Sequence, residues 1–487
     1  MQLRLILIYL LFFTSWSKAQ TFQDFLNRVN ASPEAQRTAI VDSFLNAQPS
    51  FPVVEQDTVV HFIFRGNASR VNVAGDANNW DANASSLARL STTNLWYRTD
   101  TFETDARLDY KFVVNGTTWL LDSRNKYTCT GGFGPNSELR MPAYVPPPEI
   151  VYNANIPHGL LWDTTFFSTN LGNSRRIRVY TPPGYSSSQN RYPSALFHDG
   201  LDYVALASAN NVIDFLIAEK RIDPIIAIFV PAVNRTPEYA GNQQNQFGAF
   251  IINEILPFVD RRFRTQTDPA SRAVMGASNG GNISLWLAFT YSNVFSKVAA
   301  QSSNIQSSLF SGFRDSSRLD LQLYLDLGTY DISQLIPLVR TFVPILQAKG
   351  YTYQYQEYHE GHSWGNWRAH IDNALEMFFP NQAVSVQTRS YALPVEFRLQ
   401  QNYPNPFNAQ TTVEYTLSNE GEIDVSVFNL HGQLICKLVN DQQKAGSYSL
   451  LWNGTDSEGL AQPSGIYFLR AQVDGQNKDV KRILLLR

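Results

Sequence analysis

The sequence predicts a multidomain protein: a mostly parallel α/β sheet with helices on both faces, flanked by an N-terminal β-sandwich and a C-terminal Ig-like β-sandwich. Three observations carry this reading. From 147 to 382, apolar strand-like runs alternate with helical patterns, as in strands buried on both faces and joined through helices. From 51 to 146, and again from 400 to 487, short runs alternate apolar and polar residues between turn signals, without helical periodicity. Hydrophobic residues make up 44% of the 487 and charged residues 17%, which supplies several cores and excludes disorder as the main state. The 39 basic and 42 acidic residues give a net charge of −3 with no long run of either sign, so no nucleic acid partner is expected.

In chain order, residues 1–19 hold Arg4, an apolar stretch from Leu5 to Phe13, and Ser17-Lys18-Ala19, the pattern of a cleaved signal peptide. The stretch is shorter than the ~20 residues of a membrane-spanning helix, and the mature chain is expected outside the cytoplasm. Residues 20–50 form a lead-in segment. TVVHFIF, RVNVAG, LWYRTDTF and LDYKFVVNG supply the strands of the first sandwich (51–146). The proline run YVPPPEI then reads as a stiff connector. In 147–382 the strands are IRVYTP, SALFHDG, PIIAIFVPAVN, AVMG, FSKVAAQSS, LQLYLDLG and YTYQYQEYH, with helices expected around 212–221, 246–263 and 282–291. A linker (383–399) precedes the strands TTVEYTL, IDVSVFNLHG, YSLLWNG and GIYFLRAQV of the last sandwich (400–487). Cys129 and Cys436 are too few for a disulfide framework or a zinc site and read as isolated thiols.

The chemistry lies in the middle domain. Gly276-Ala277-Ser278-Asn279-Gly280 matches G-x-S-x-G between a strand pattern and a helix pattern, the context in which a sharp turn exposes a nucleophilic serine. A serine hydroxyl needs a base, and the base needs an acid to orient it, in the chain order serine, acid, histidine. Asp331 follows a strand at its C-terminal end, where open α/β sheets place working residues; Asp326, inside that strand, is the competing acid. His359, His362 and His370 are the candidate bases, and His362 lies in a loop after Gly361, from which an imidazole can reach the turn. One oxyanion donor is the Asn279 N–H, and the loop after SALFHDG offers Gly200 and Leu201 for the second. His198 precedes the serine and is read as orienting that loop through a hydrogen bond. Trp364 follows the base, where an exposed indole would stack on a sugar or aromatic acyl group, and Arg235 with Glu238 would border the pocket; core packing and a structural ion pair are the alternatives.

RIRVYTPPGY, LFHDG, NRTPEY, EILPFVDRRFRT, GASNGG and GHSWGNWR, in that order, resemble the enterochelin esterase and feruloyl esterase group of α/β-hydrolases. The resemblance covers about 150–380. It implies a Ser278, Asp331 and His362 triad, favours His362 over His359, and implies neither metal nor organic cofactor. The HDG of the loop departs from the usual HG followed by a small residue, which leaves the second oxyanion donor open. VNVAGDANNW, LDYKFVVNG and TTWLLDSRN are similar to glycogen-binding early-set sandwiches, in which Trp80, Lys111 and Trp119 would face a glucan; packing against the catalytic domain, where such a sandwich shapes the rim of the active site, is the alternative. NYPNPFN, VFNLHG, SGIYFLR and the basic end resemble type IX secretion sorting domains, which implies secretion machinery as a partner and the surface or medium of a Gram-negative bacterium as the location. The expected protein is a secreted serine esterase acting on carbohydrate-linked acyl, feruloyl-like or siderophore-like esters. An acyltransferase of the same fold and an inert surface glycan-binding protein are the alternatives.

Overall fold

The computed structural model describes residues 21–381, 397–399, 402, 405, 407–408, 410–417, 420–429, 432–444 and 446–486; the expected signal peptide and most of the expected linker lie outside them. The chain divides after residue 382 into two units.

The lead-in segment forms two helices that the sequence reading left unassigned, α1 (Phe22–Ala31) and α2 (Glu34–Ala47). Thr21 and Asp24 cap α1 reciprocally, and Phe25, Val29, Val41 and Phe44 pack with Ile63, Leu90 and Leu95. The strands that follow are β1 (Val53–Glu55), β2 (Val59–Arg65), β3 (Val71–Gly75), β4 (Ala88–Arg89), β5 (Leu95–Thr101), β6 (Arg107–Val114), β7 (Thr118–Leu120), β8 (Thr128–Gly131) and β9 (Gly134–Arg140). One sheet has the order β1-β2-β5-β4; in the other, β3, β7 and β9 pair with β6, and β8 with β9. Phe62 and Trp96 from the first sheet meet Val73, Leu108, Tyr110 and Phe112 from the second in a shared core.

The central strands are β10 (Leu160–Ser168), β11 (Asn173–Thr181), β12 (Ser194–His198), β13 (Ile226–Val230), β14 (Arg272–Ala277), β15 (Lys297–Gln301), β16 (Gln322–Tyr330) and β17 (Thr352–Gly361). Their order is β10-β11-β13-β12-β14-β15-β16-β17. The ladder is parallel from β13 to β17, whereas β10 and β11 run antiparallel at one edge, so the sheet is mixed. The connecting helices are α3 (Gly200–Ala205), α4 (Ala209–Ala218), α5 (Arg235–Ala240), α6 (Gln244–Phe250), α7 (Leu256–Arg262), α8 (Asn279–Thr290), α9 (Ser307–Asp315), α10 (Ile336–Ala348), α11 (Trp364–Ala369) and α12 (Ile371–Phe378). Alternation along each strand feeds two cores: Leu196, Ile228 and Val274 meet α6 to α10 on one face, and Phe197, Phe229 and Met275 meet α3, α4, α11 and α12 on the other. The single helix expected over 246–263 is divided by a π turn at Ile251–Ile255, just before Pro257, which has no N–H to donate back along the helix.

The proline run does not separate the sandwich from the central sheet. Glu360 of β17 pairs in parallel with Arg107 of β6, so among the described residues thirteen strands share one continuous sheet.

In the second unit β18 (Phe397–Leu399), β19 (Thr411–Leu417) and β22 (Gly446–Trp452) form one sheet, and β21 (Leu434–Gln443), β20 (Gly421–Asn429), β23 (Gly465–Val473) and β24 (Gln476–Leu485) the other. Val413, Tyr415 and Trp452 meet Val425, Leu469 and Ile483 between them. Cys129 and Cys436 are both buried free thiols, one in each unit.

A chain ending at residue 382 should unfold cooperatively with a midpoint within about 3 °C of the first transition of the full protein, because its cores are its own. A chain beginning at 147 loses β6, which pairs with the end of β17 at Glu360, and the rest of the sandwich, and should be insoluble or lack that transition; calorimetry on the two truncations reads the difference.

Candidate active site

Ser278 stands between β14 and α8 with φ 59° and ψ −122°. Its neighbours over-determine this sparsely populated conformation. The Ser278 N–H donates to the Gln301 carbonyl at 2.8 Å, and its own carbonyl accepts from the N–H groups of Gly281, Asn282 and Asn304. Strand and helix approach so closely that a Cβ on Gly276 would lie 2.6 Å from the Gly280 carbonyl, which is why glycines bracket the serine. The serine is half-buried.

Asn279 opens α8, and its N–H has no intrahelical acceptor. Its side-chain oxygen accepts from Asn304 Nδ2 at 2.8 Å. β12 lies beside β14 and ends at the same edge, where Gly200 and Leu201 open α3; the first backbone bonds of that turn come from Asp202 and Tyr203 to the Asp199 carbonyl. Arg235 ties the two loops together. Its Nη2 donates to Asp199 Oδ2 at 2.7 Å and to the Ala277 carbonyl at 3.2 Å. Its guanidinium is thus a brace between the loops, while Glu238 pairs with Arg175 instead.

Asp331 and His362 meet at the ends of β16 and β17: His362 Nδ1 lies 2.7 Å from Asp331 Oδ1, which also accepts the Ile332 N–H. The carboxylate is buried and the imidazole 17% exposed. The Trp367 ring packs edge-on against His362 at 4.9 Å. No hydrogen bond joins Ser278 Oγ to His362 Nε2, a contact that in such sites commonly tightens only around substrate. The other candidates are engaged elsewhere. Asp326 is fully buried and accepts from Gln301 Nε2 at 2.9 Å; burial raises its pKa to about 6. His359 lies within β17 and pairs with Asp105 at 2.6 Å. His370 sits between α11 and α12 rather than inside a helix, stacked on Tyr358 and bonded to Glu360.

Two expectations are corrected. Trp364 is only 8% exposed and packs edge-on against Tyr203 and Trp367, so it belongs to the core and offers no stacking face. His198 is fully buried with no hydrogen bond at either ring nitrogen among the described residues, so it does not orient its loop that way. It packs against Tyr239 and Phe247 as a neutral ring, and burial, reinforced by the Arg235 charge, pushes its pKa to about 3.

In the sandwich, Trp119 is 42% exposed beside half-buried Trp80, with ring centroids 6.4 Å apart. Trp119 pairs with Val113 of β6, two positions from Lys111, so the tryptophan and the lysine share a face of the sheet.

Sequence reasoning missed Gln301. Its carbonyl holds Ser278, its Nε2 also donates to the Trp367 carbonyl at 3.1 Å, and its Oε1 accepts from Tyr203 at 2.9 Å. A glutamine closing the apolar run Val298–Ala300 at a parallel strand's C-terminal end is the signal for it. Asn304, Asn366 and Arg107 were also missed, and in them no motif marks the role.

A serine on a strand-turn-helix, with a carboxylate and imidazole paired two and three strands later at the same sheet edge, is an arrangement that α/β-hydrolases also use. Residues 168–378 match the profile of the family described as "Putative esterase", and residues 406–477 that of the FlgD Ig-like domain. An uncharacterized protein of Bacillus subtilis (strain 168), YjcH, is 26% identical over 234 residues, spanning 45% of this chain and 97% of its own. An endo-1,4-beta-xylanase/feruloyl esterase of Xylanibacter ruminicola is 28% identical over 142 residues, 27% of this chain and 20% of that protein. The fold is shared with the enterobactin esterase of Shigella flexneri at TM-score 0.59 and 18% identity, over 69% of this chain and 97% of that one.

His198 gives the stability of this core an acid limit. Below pH 6.5 the unfolded chain takes up a proton at this residue and the folded chain does not until about pH 3, so stability falls as pH drops through that window, by up to about 1.4 kcal/mol per pH unit. Replacing the ring in His198→Leu should flatten this part of the curve; denaturant unfolding at pH 4.5 and 7.5 checks it.

Proposed function

We propose that this protein is a serine esterase that cleaves carboxylic esters through an acyl-enzyme on Ser278. The observation that carries the reading is the strained Ser278 at the sheet edge to which the Asp331–His362 pair also belongs. His362 Nε2 takes the Ser278 proton as Oγ attacks the ester carbonyl, and Asp331 holds Nδ1–H and stabilises the imidazolium. The oxyanion forms against the Asn279 N–H and the N–H groups that open α3, at Gly200 and Leu201. Collapse expels the alcohol with the proton from His362; water then attacks the acyl-enzyme by the same route in reverse. The His362 imidazole carries each proton between serine, alcohol and water, while the Asp331 carboxylate stays ionised and holds the ring in place. The names of the relatives, a feruloyl esterase and an enterobactin esterase, favour feruloyl-like or siderophore-like esters. Transfer to a sugar hydroxyl in place of water is the second outcome of the same intermediate.

Ser278→Ala and His362→Ala should each lower turnover of a soluble ester by about three orders of magnitude or more in folded protein, and His359→Ala should leave it near the wild-type rate. A fluorophosphonate probe should label the wild type at Ser278 and not Ser278→Ala. Product analysis with water against added sugar acceptors separates hydrolysis from transfer.

The exposed Trp119 beside Trp80 favours a sugar-binding face as a further property of the sandwich. Trp119→Ala should then weaken retention on an insoluble α-glucan without changing turnover of a small ester. Export through the N-terminal signal and the C-terminal sandwich completes the reading.

A further inference from the structure

The half of the site that carries the base and its acid is gripped by the N-terminal sandwich. Tyr330 donates to Glu103 at 2.7 Å, and the Ser333 N–H donates to Asn79 Oδ1 at 3.1 Å, on either side of Asp331. On the His362 side, Gly361 lies so close to buried Asp76 that a Cβ there would sit 2.0 Å from the carboxyl carbon. Asn366 Nδ2 donates to the Gly361 carbonyl at 3.0 Å. Asp76 in turn accepts the Asp109 N–H at 2.7 Å and the Trp80 indole N–H at 3.0 Å.

Arg107 is at the centre of this junction. It is fully buried, and its fork is divided among three acceptors: Nε to Glu138 at 3.0 Å, Nη2 to Asp109 at 2.6 Å, and Nη1 to Ser363 Oγ at 2.9 Å. The first two acceptors belong to the sandwich. The third is the residue after His362, and the same Ser363 hydroxyl caps α11 by accepting the Asn366 N–H. A Cβ on Gly365 would lie 2.0 Å from the guanidinium carbon, so the first turn of α11 is pressed against the charge. A guanidinium buried to this degree is held in one place by its carboxylates, and a hydroxyl bonded to it inherits that rigidity. Lysine, a point charge without a planar fork, cannot reach three acceptors in these directions.

Building on the esterase reading above, we propose that Arg107 is a positioning residue of the active site, which fixes the His362 loop through Ser363 and so makes the N-terminal sandwich a working part of the catalytic unit. Arg107 touches no reacting atom. Its effect is on how often the imidazole lies in line with Ser278, a quantity that enters kcat and leaves binding of a small ester unchanged.

The test uses the full chain, with 4-nitrophenyl acetate as substrate and a fluorophosphonate as the probe of serine activation. Ser363→Ala removes the hydroxyl that receives Arg107 while leaving the buried charges paired. It should lower kcat roughly ten- to a hundredfold with KM within about twofold, and slow fluorophosphonate labelling in proportion. Ser363→Thr keeps the hydroxyl and should restore most of the rate; Arg107→Lys should show the same split between kcat and KM as Ser363→Ala. The proposal is overturned if Ser363→Ala keeps wild-type kcat and labelling while Ser278→Ala is inactive, or if Ser363→Ala loses thermal stability alone. A wild-type rate in Ser278→Ala would instead remove the esterase reading, and this proposal with it.

Discussion

A serine whose backbone is held at φ 59° and ψ −122° stays there only because its surroundings leave it nowhere else to go, and much of the hydrolase unit is arranged around that constraint. Such a conformation costs on the order of 1–3 kcal/mol. Four backbone hydrogen bonds at Ser278 hold it, one through its N–H and three through its carbonyl. The partner of the N–H, Gln301, is bonded through its side chain to Tyr203, Asp326 and the Trp367 carbonyl. The ring of Trp367 then meets His362. Ser278 and His362 are thus connected through a chain of buried, packed groups. Asp326, the competing acid in the sequence, belongs to this support.

The second constraint is buried charge. Arg107, Asp109 and Glu138 lie together out of water, an arrangement that is tolerable only when every ion is paired and the remaining donors are satisfied. Arg140 supplies a further partner to Glu138. Burial and the nearby Asp109 charge raise the pKa of Asp76 to about 8, so its carboxyl is mostly protonated at neutral pH and adds little charge to the cluster. Because the cluster straddles the joint between β6 and β17, the sandwich and the hydrolase sheet cannot separate without exposing it.

The parts of this structure legible in the sequence are those that depend on local pattern. Alternation along the strands, the glycines at 276 and 280, and the positions of Asp331 and His362 just beyond strand ends all follow from spacing and turn chemistry. What the sequence hid depends on partners far away along the chain. The joining of β6 to β17 brings together residues about 250 positions apart, with a single register pair between them and no motif to announce it. Trp364 reads equally well as a stacking platform or as core, and only the ring of Tyr203 across the fold decides it. The α1–α2 pair escapes the sequence pattern because α2 buries few apolar residues and has Pro33 as its N-cap, without a side-chain cap.

The continuous sheet also limits how such a chain can be rearranged in evolution. Recombination is tolerated between units that hold their own cores, and the boundary after residue 382 divides two such units. The proline run near 147 looks like an equally good crossover point and is not one. A segment transplanted from there would arrive with the end of β17 unpaired at Glu360 and with Ser363 bereft of Arg107, so it would travel through genomes only together with a sandwich that supplies both.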